Sequence, residues 1–417
     1  MLKMLRIFIL AAVLVPAEGR NVNAAEVTFN SDGVSVVDGQ PVFPIGFSKA
    51  PPRDGKTPYS DDAYAELKTN GTVFHRVGSP SGQWGPTAEA ELDDTLGRSA
   101  AAGLLGAIFI PDLTAIKPDN AVNEAELRRV IGKYRNHPAL GWWKGQDEPE
   151  WGGVPVPWVQ NFYDIVHQLD LAHPVWITQA PRFRGGTIES LRQYDPTYDI
   201  GAFDIYPVSY PPGIHGNLPN KNISVVGDYA NLMREVTGGA KPFWMVLQIC
   251  WSGVSMPGKT LRFPTFPEER YMTYQSVING ARGLVYFGGN IEACLNDRDK
   301  ELGWNWTFYY KVLKPVLDEL NPEGPLYPAL IAPNSQSPIT VQGADDIEFT
   351  VREADGQIFI LAAKREGATV QVKFNGLPLD DATGVVLFEE PRKVTVSGGS
   401  FTDWFGPNEV HVYRFFK

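Results

Sequence analysis

Short apolar runs alternate with helical patterns through most of this 417-residue chain. Eight runs, each followed by a stretch of helical periodicity, are predicted to be strands: residues 42–47, 72–77, 104–110, 139–144, 174–178, 200–206, 242–249 and 283–287. Strands that alternate with helices form parallel sheets, and eight such units predict a closed (β/α)8 TIM barrel over residues 42–322. The alternative is an open doubly wound sheet, but no Gly-x-Gly-x-x-Gly follows the first strand, which disfavours a dinucleotide-binding version.

The chain on either side of the barrel has a different pattern. Residues 26–41 contain short β runs separated by turn residues, which predict a β-hairpin at the bottom of the barrel. After the Asn-Pro-Glu-Gly-Pro segment at residues 321–325, helical periodicity ends and six short strands follow, several of which alternate apolar with polar residues. Residues 323–417 are therefore predicted to form a small antiparallel β-sandwich.

Residues 1–25 are typical of a secretory signal peptide. Lys3 and Arg6 precede an apolar segment that is too short to span a bilayer, and small residues follow it. We therefore expect an exported protein, periplasmic or extracellular, without a membrane span. In such a compartment Cys250 and Cys294 form either a disulfide or two buried thiols, and the sequence favours neither.

Charge and composition exclude several classes of partner. The formal net charge of −11 argues against nucleic acid and against anionic membrane surfaces. The six His are scattered without metal-ligand spacing, so no metal and no other cofactor is predicted. Aromatic residues make up 12% of the chain, with 11 Trp, which favours a carbohydrate because sugar rings stack on flat apolar faces. The sequence gives no indication of the oligomeric state.

The predicted fourth strand ends in two adjacent carboxylates. Residues 142–149 read Trp-Trp-Lys-Gly-Gln-Asp-Glu-Pro, which places Asp147 and Glu148 where the strand leaves the core. Active sites of (β/α)8 barrels lie at the carboxyl ends of the strands. Asp204, at the end of the sixth strand, is the best candidate to face Glu148, since inward groups of alternate strands share a layer. Glycoside hydrolysis uses two such carboxyls, about 5–5.5 Å apart for retention and about 6.5–9.5 Å apart for inversion.

Other polar and aromatic residues near the predicted strand ends suit the recognition of hydroxyl groups and sugar rings. Successive residues of a strand face opposite sides, so only one of Trp142 and Trp143 is expected to face the barrel interior. The candidates for substrate binding are His75, Arg76, Trp143, Gln179, Arg182, Tyr206, Gln248, Trp251 and Tyr286.

These motifs resemble those of secreted (β/α)8 glycoside hydrolases of clan A and their distant relatives, over residues 42–320 and the C-terminal domain. The resemblance implies that Glu148, which precedes Pro149, is the general acid/base, and that Arg76 is the arginine after strand two. Clan A carries a nucleophilic glutamate at the end of strand seven, where this chain has Gln248, and an asparagine in the place of Asp147. The adjacent Asp–Glu pair also resembles substrate-assisted N-acetylhexosaminidases, in which the Asp steadies the acetamido group of the substrate.

The sequence therefore predicts a glycoside hydrolase that acts on a poly- or oligosaccharide. Glu148 is expected to protonate the leaving oxygen, while Asp204 or Asp147 activates water or stabilises the oxocarbenium-like charge. Gln248, in the place of a carboxylate, favours one alternative, a non-catalytic carbohydrate-binding protein on the same scaffold. A transglycosylase that uses the same residues is a second alternative.

Overall fold

The computed structural model of the chain describes residues 24–78, 83–213, 215–249, 253–256, 259–287, 296–389 and 392–417. Eight parallel strands close into a barrel in which each strand pairs with the next along the chain and the eighth pairs with the first. Barrel strands one to eight are Ile45–Phe47, Phe74–Gly78, Leu105–Phe109, Leu140–Asp147, Val175–Gln179, Ile200–Ile205, Phe243–Gln248 and Leu284–Phe287. This topology confirms the predicted (β/α)8 barrel.

A helical segment follows each barrel strand. Asp62 begins the first helix by accepting hydrogen bonds from the backbone N–H groups of Tyr64 and Ala65, and Gly103, with φ of 69°, ends the second. The helices are Ala63–Thr69, Pro86–Ala102, Ala121–Tyr134, Val156–Leu169, Ile188–Arg192, Val225–Val236, Phe266–Ile278 and the composite Trp306–Phe308, Tyr309–Leu313 and Lys314–Leu320. Shorter helical segments are Pro111–Leu113, Pro149–Gly152, Asp195–Thr197, Asp297–Leu302 and Tyr327–Leu330.

Large aromatic side chains fill the barrel interior and form one layer across it. The rings of Phe74, Trp142, Trp176 and Trp244 come from strands two, four, five and seven, and their centroids lie 4.8–6.1 Å apart. Strand one contributes Gly46 at this level, where a Cβ atom would lie 2.3 Å from the Phe74 ring. This aromatic layer is therefore the floor of the barrel mouth. The Phe74 ring occupies its place in the layer only because residue 46 is a glycine.

The N-terminal segment closes the opposite end of the barrel. Val27–Phe29, Ser35–Val37 and Gln40–Val42 form a three-stranded antiparallel sheet. Asp38 and its neighbouring glycine have positive φ values of 49° and 77°, as an Asp-Gly turn requires, and they turn the predicted hairpin into three strands. Val27 packs in the same apolar cluster as the aromatic layer.

The C-terminal region forms the predicted antiparallel sandwich, whose two sheets enclose a separate apolar core. One sheet contains Thr340–Gln342, Val370–Asn375 and Ser400–Phe405. The other contains Ile347–Ala354, Gln357–Lys364, Val410–Phe416, Thr383–Val386 and Lys393–Thr395. A further small sheet joins the segments after barrel strands six and seven, and it contains Ser209–Tyr210, Lys259–Leu261 and Gly253–Met256.

The helix Phe266–Ile278 lies between the barrel and the sandwich and is buried on most of its surface. Arg270 forms a 2.8 Å ion pair with Glu319 of the last barrel helix. Gln275 donates a 2.6 Å hydrogen bond to Glu348 of the sandwich. The sandwich is thus held to the side of the barrel by polar contacts as well as apolar packing.

Within the described ranges, no helix is both long enough and apolar enough to cross a bilayer. Residues 1–23, on which the predicted signal peptide depends, lie outside the described residues, as do Cys250 and Cys294.

Replacing Trp244 by Ala is expected to lower the free energy of unfolding by about 3–5 kcal/mol, because it removes a buried ring from the aromatic layer. The matched control is Trp404→Ala, which removes an indole that is 57% exposed and should change stability by no more than about 0.5 kcal/mol. Denaturant unfolding of both variants measures the difference. Equal losses would contradict the placement of Trp244 in the barrel core.

Candidate active site

A small cavity opens at the carboxyl ends of the barrel strands, above the aromatic layer. Its volume is about 190 Å³. The lining residues are Ser48, Arg76, Lys144, Asp147, Glu148, Trp176, Thr178, Asp204, Tyr206, Val246, Val285 and Phe287. The structure therefore brings all three predicted catalytic carboxylates together in one cavity, with two cationic side chains and several aromatic faces.

An irregularity in strand four turns Asp147 toward the cavity. Lys144 pairs with Trp176 of strand five, and Asp147 pairs with Thr178, so three residue steps on strand four match two on strand five. One extra residue of this kind is a β-bulge, and it reverses the side-chain alternation of the strand beyond it. Asp147 thus faces the interior in the place that regular alternation would give to Gln146.

Glu148 has a left-handed backbone conformation, with φ of 46° and ψ of 49°. Its N–H donates a 2.8 Å hydrogen bond to the carbonyl oxygen of Thr178, and the short helix Pro149–Gly152 follows it directly. A side chain in this conformation costs about 1–3 kcal/mol, and such residues cluster at functional sites. At this turn the backbone leaves the direction of strand four, and the carboxyl group of Glu148 lines the cavity.

Asp147 belongs to a charged group with Lys144 and Arg76. The Lys144 ammonium group is 1% exposed and forms a 2.9 Å ion pair with Asp147, which is 42% exposed. Burial raises the pKa of Asp147, but the nearby charges of Lys144 and Arg76 together outweigh it and hold the pKa below its ordinary value. Asp147 is therefore ionised throughout the neutral range. Arg76 is fixed by a 3.2 Å hydrogen bond from its Nε to the carbonyl oxygen of Ser48.

Glu148 and Asp204 form a carboxyl pair within hydrogen-bonding distance of each other. Asp204 is 8% exposed. Burial first, and then the neighbouring Glu148, raise the pKa of Asp204 well above its ordinary value. The pKa of Glu148 is also raised, mainly by burial, while the hydrogen bond from Asp204 works in the opposite direction. Both shifts favour the protonated carboxyl, and the stronger shift at the deeper Asp204 favours that residue as the site of a shared proton.

Tyr206 and Arg182 complete the surroundings of this carboxyl pair. The Tyr206 hydroxyl is a hydrogen-bond partner of Asp204, and its ring stacks on Phe287 at 5.1 Å between centroids. Arg182 lies close enough for its charge to lower the pKa of Glu148. The loop that carries Arg182 is fixed by the buried Glu150, which accepts hydrogen bonds from the two backbone N–H groups at residues 184 and 185.

Three predicted substrate-binding residues face the surrounding helices instead of the cavity. His75 is fully buried and its Nε2 lies 2.8 Å from the Ser99 hydroxyl of the second helix. Trp143 donates a 2.8 Å hydrogen bond to Asp170, and the Tyr286 hydroxyl lies 2.9 Å from that of Thr273. These side chains alternate with interior residues along their strands, so the structure corrects their assignment: His75, Trp143 and Tyr286 contribute to packing.

Two further residues predicted to bind substrate, both with amide side chains, do not line the cavity. The Gln248 side chain is fully buried: its oxygen accepts from the Val208 N–H at 2.9 Å, and its nitrogen donates to the carbonyl oxygens of Val208 and Arg262 at 2.9 and 2.8 Å. Gln248 therefore joins two backbone segments beside the mouth and has no donor left for a sugar. Gln179 is 1% exposed and lies in line with outward-facing strand residues, so its assignment is corrected as well. Trp251 lies outside the described residues.

Sequence reasoning missed Lys144, although a signal was present. A lysine two positions after Trp142, inside an otherwise apolar strand, faces the same side as that tryptophan and needs a buried partner.

Among the described side chains, no group of three or more His, Cys, Asp or Glu is arranged to hold a metal ion.

Comparison with known proteins identifies relatives by fold alone. No protein-family model and no curated protein matches the sequence. A solved structure named "Glycoside hydrolase" is similar, with a TM-score of 0.62 and 14% identity over 94% of this chain and 97% of the other. A glycoside hydrolase family 5 protein from Bacteroides vulgatus has the same TM-score and identity and 94% coverage of both chains. A GH30 endoxylanase from Clostridium papyrosolvens has a TM-score of 0.53 and 12% identity over 94% of this chain and 100% of its own.

These similarities span the barrel and the sandwich together, because the coverage is nearly complete on both sides. At such low identity they carry information on the fold and none on individual residues. The chain therefore has the fold of glycoside hydrolases built from a (β/α)8 barrel and a C-terminal β-sandwich, and the resemblance expected from the sequence is confirmed at that level.

Proposed function

We propose that this protein is a glycoside hydrolase whose two catalytic carboxyls are those of Asp204 and Glu148. The observation that carries the proposal is this pair itself: two hydrogen-bonded carboxyls with raised pKa values in an aromatic-lined cavity at the barrel mouth. One protonated and one ionised carboxyl are the two states that glycoside hydrolysis requires at the same moment.

The distribution of the shared proton assigns the two roles. Asp204 is the deeper residue and holds the proton, so it acts as the general acid that protonates the leaving oxygen. Glu148 carries the negative charge and attacks or stabilises the anomeric carbon. This assignment reverses the order that the sequence motif implied for Glu148.

The close contact of the pair supports a retaining mechanism. Inverting glycosidases separate their carboxyls by about 6.5–9.5 Å to hold a water molecule, whereas retaining enzymes use about 5–5.5 Å. The direct interaction of Glu148 with Asp204 favours the shorter of these two separations. Asp147 stays ionised and 42% exposed, so its role in the proposal is to accept hydrogen bonds from substrate hydroxyls, together with Arg76 as a donor.

The size of the cavity supports recognition of a single sugar ring. Its volume of about 190 Å³ is smaller than that of pockets for drug-sized ligands, about 300–1,000 Å³. Tyr206, Phe287 and Trp176 supply aromatic surface to such a ring. Structural neighbours are named for different substrates, an endoxylanase and an α-amylase among them, so the fold does not select the sugar.

Replacing each carboxyl separately distinguishes the two roles. Asp204→Asn is expected to slow hydrolysis of alkyl glycosides by about 10²–10⁴-fold, but to spare aryl glycosides with acidic phenols, since these leaving groups need no proton. Glu148→Gln is expected to abolish turnover of both substrate types while sugar affinity is retained. The exposed Asp164→Asn serves as the control and should remain at the wild-type rate.

The readout is kcat/KM on a panel of matched alkyl and aryl glycosides, because this ratio reports the step in which the leaving group departs. Sugar binding is measured by calorimetry. If Asp204→Asn impairs both leaving groups equally and Glu148→Gln spares the acidic ones, the roles are reversed. If the wild-type protein binds sugar but hydrolyses no member of the panel, the protein is a carbohydrate-binding protein, and predominant transfer to an added alcohol would indicate a transglycosylase.

The pH dependence of kcat/KM is expected to be bell-shaped. Activity falls at low pH as Glu148 takes up a proton, above the range of an ordinary glutamate because its pKa is raised. Activity falls again at high pH as Asp204 loses its proton. Asp204→Asn should remove the alkaline limb for substrates with acidic leaving groups. An alkaline limb that survives in this variant would contradict the assignment of the acid.

We also propose that the protein is exported. The order of charged, apolar and small residues within positions 1–25 supports this. Mass spectrometry of the N-terminus after expression with its own leader is expected to show a chain that begins near residue 26. An intact N-terminus retained with the cytoplasmic fraction would contradict export.

A further inference from the structure

A second cavity lies at the opposite end of the barrel from the carboxyl pair. Its volume is about 410 Å³, and it opens between the N-terminal sheet, the starts of barrel strands six and seven and the segment that leads into the sandwich. Arg282, Arg234, Lys241, Asp32 and Asn334 contribute polar groups to its lining. No step of the proposed reaction uses this cavity.

One buried arginine, Arg282, lines this cavity, and a second, Arg352, lies next to it outside the lining. Arg282 is 7% exposed and Arg352, on the sandwich strand behind it, is 1% exposed. Both donate to the carbonyl oxygen of Ala332, at 2.9 and 3.4 Å, so the two guanidinium groups are close neighbours. Neither forms an ion pair with a carboxylate in the part of the chain that the structure describes, and the Nε of Arg352 has no hydrogen-bond partner there.

Two adjacent buried cations without a counter-ion are energetically unfavourable. Burial, and then the charge of Arg282, lower the pKa of Arg352 to about 9, while Asp32 works in the opposite direction. A guanidinium group nevertheless stays protonated at neutral pH, so the cost must be offset by negative charge from elsewhere. Asp32 is exposed and forms no ion pair with either arginine among the described residues.

The rim of the cavity adds further positive charge. Arg234 donates to the side-chain oxygen of Asn231 at 2.7 Å and has no carboxylate partner among the described residues. On the same rim, Lys241 pairs with Asp195 at 3.4 Å. The other acid of the lining, Asp199, is already bound by His167, Tyr163 and the Val175 N–H. The positive charge that remains uncompensated comes from Arg282, Arg352 and Arg234.

We propose that this cavity binds a tetrahedral oxyanion, a sulfate or phosphate dianion, held by Arg282 with Arg352 behind it. Planar guanidinium groups make paired hydrogen bonds to the oxygens of such anions. The direct contact comes from Arg282, in the turn before barrel strand eight, and the N-terminal sheet forms the opposite wall. Arg352 of the sandwich adds positive charge from behind Arg282, through the acceptor that the two arginines share. The site is structural and independent of the proposed hydrolysis.

The test measures the midpoint of thermal unfolding against sulfate concentration at constant ionic strength. In the wild-type protein the midpoint should rise by about 2–4 °C and saturate at millimolar sulfate. Arg282→Met should show only the gradual, non-saturating rise that sulfate gives any protein. Arg298→Met, which removes an exposed arginine elsewhere, should keep the saturable rise. Phosphate should reproduce the effect of sulfate, and acetate should not.

Calorimetric titration of sulfate keeps the test decisive if Arg282→Met does not fold. Arg282→Lys retains the charge but loses the paired contact, so sulfate affinity should fall about tenfold or more. A wild-type protein without a saturable response to sulfate and phosphate overturns the proposal, as does an unchanged response in Arg282→Met. A further outcome would also overturn the proposal: the wild-type protein shows no response to either anion, and Asp32→Asn strongly lowers its stability. Asp32 would then be the counter-charge of the two arginines.

Discussion

The ion pair between Lys144 and Asp147 keeps one of the three carboxyls at the barrel mouth ionised. A buried ammonium group requires a carboxylate beside it, and Asp147 meets that requirement at 2.9 Å. Asp147 is thereby kept ionised, and its negative charge adds to burial, the main cause, in raising the pKa of both Glu148 and Asp204. Three carboxyls near one another cannot all ionise at low cost, so the remaining pair shares a proton. The chemistry proposed for the pair thus depends in part on Lys144, which holds Asp147 in its ionised form.

The order of side chains along the barrel axis, from the aromatic layer up to the cavity, could be predicted from the sequence once the strands were assigned. Residues two apart on a strand face the same side, and several strands change from apolar to polar in one such step. The steps are Phe74 to Arg76, Trp142 to Lys144, Trp176 to Thr178 and Ala202 to Asp204. Each begins at the level of the aromatic layer and ends at the cavity. The same rule applied to His75, Trp143 and Tyr286 would have placed them among the helices.

The bulge in strand four could not be predicted in this way. Regular alternation carries Gln146 to the interior and Asp147 outward, and only the pairing with strand five shows the extra residue. Glu148 was found from its position before a proline, but its left-handed backbone, and hence its meeting with Asp204, depends on that pairing. Gln248 could not be assigned from the sequence for a similar reason. An amide at a strand end is typical of a substrate-binding group, but its three hydrogen bonds go to the backbone of Val208 and Arg262.

The aromatic layer lies between two separate groups of charged residues, one at each end of the barrel. The mouth contains three carboxyls together with Lys144 and Arg76, whereas Arg282 and Arg352 at the bottom form no ion pair among the described residues. Phe74, Trp142, Trp176 and Trp244 separate the two regions with a layer of packed, buried aromatic rings. Each end must therefore balance its charge locally, by proton sharing at the mouth and, in our proposal, by a bound anion at the bottom. Substitutions at the two ends are accordingly expected to act additively, because no charged group is shared between them.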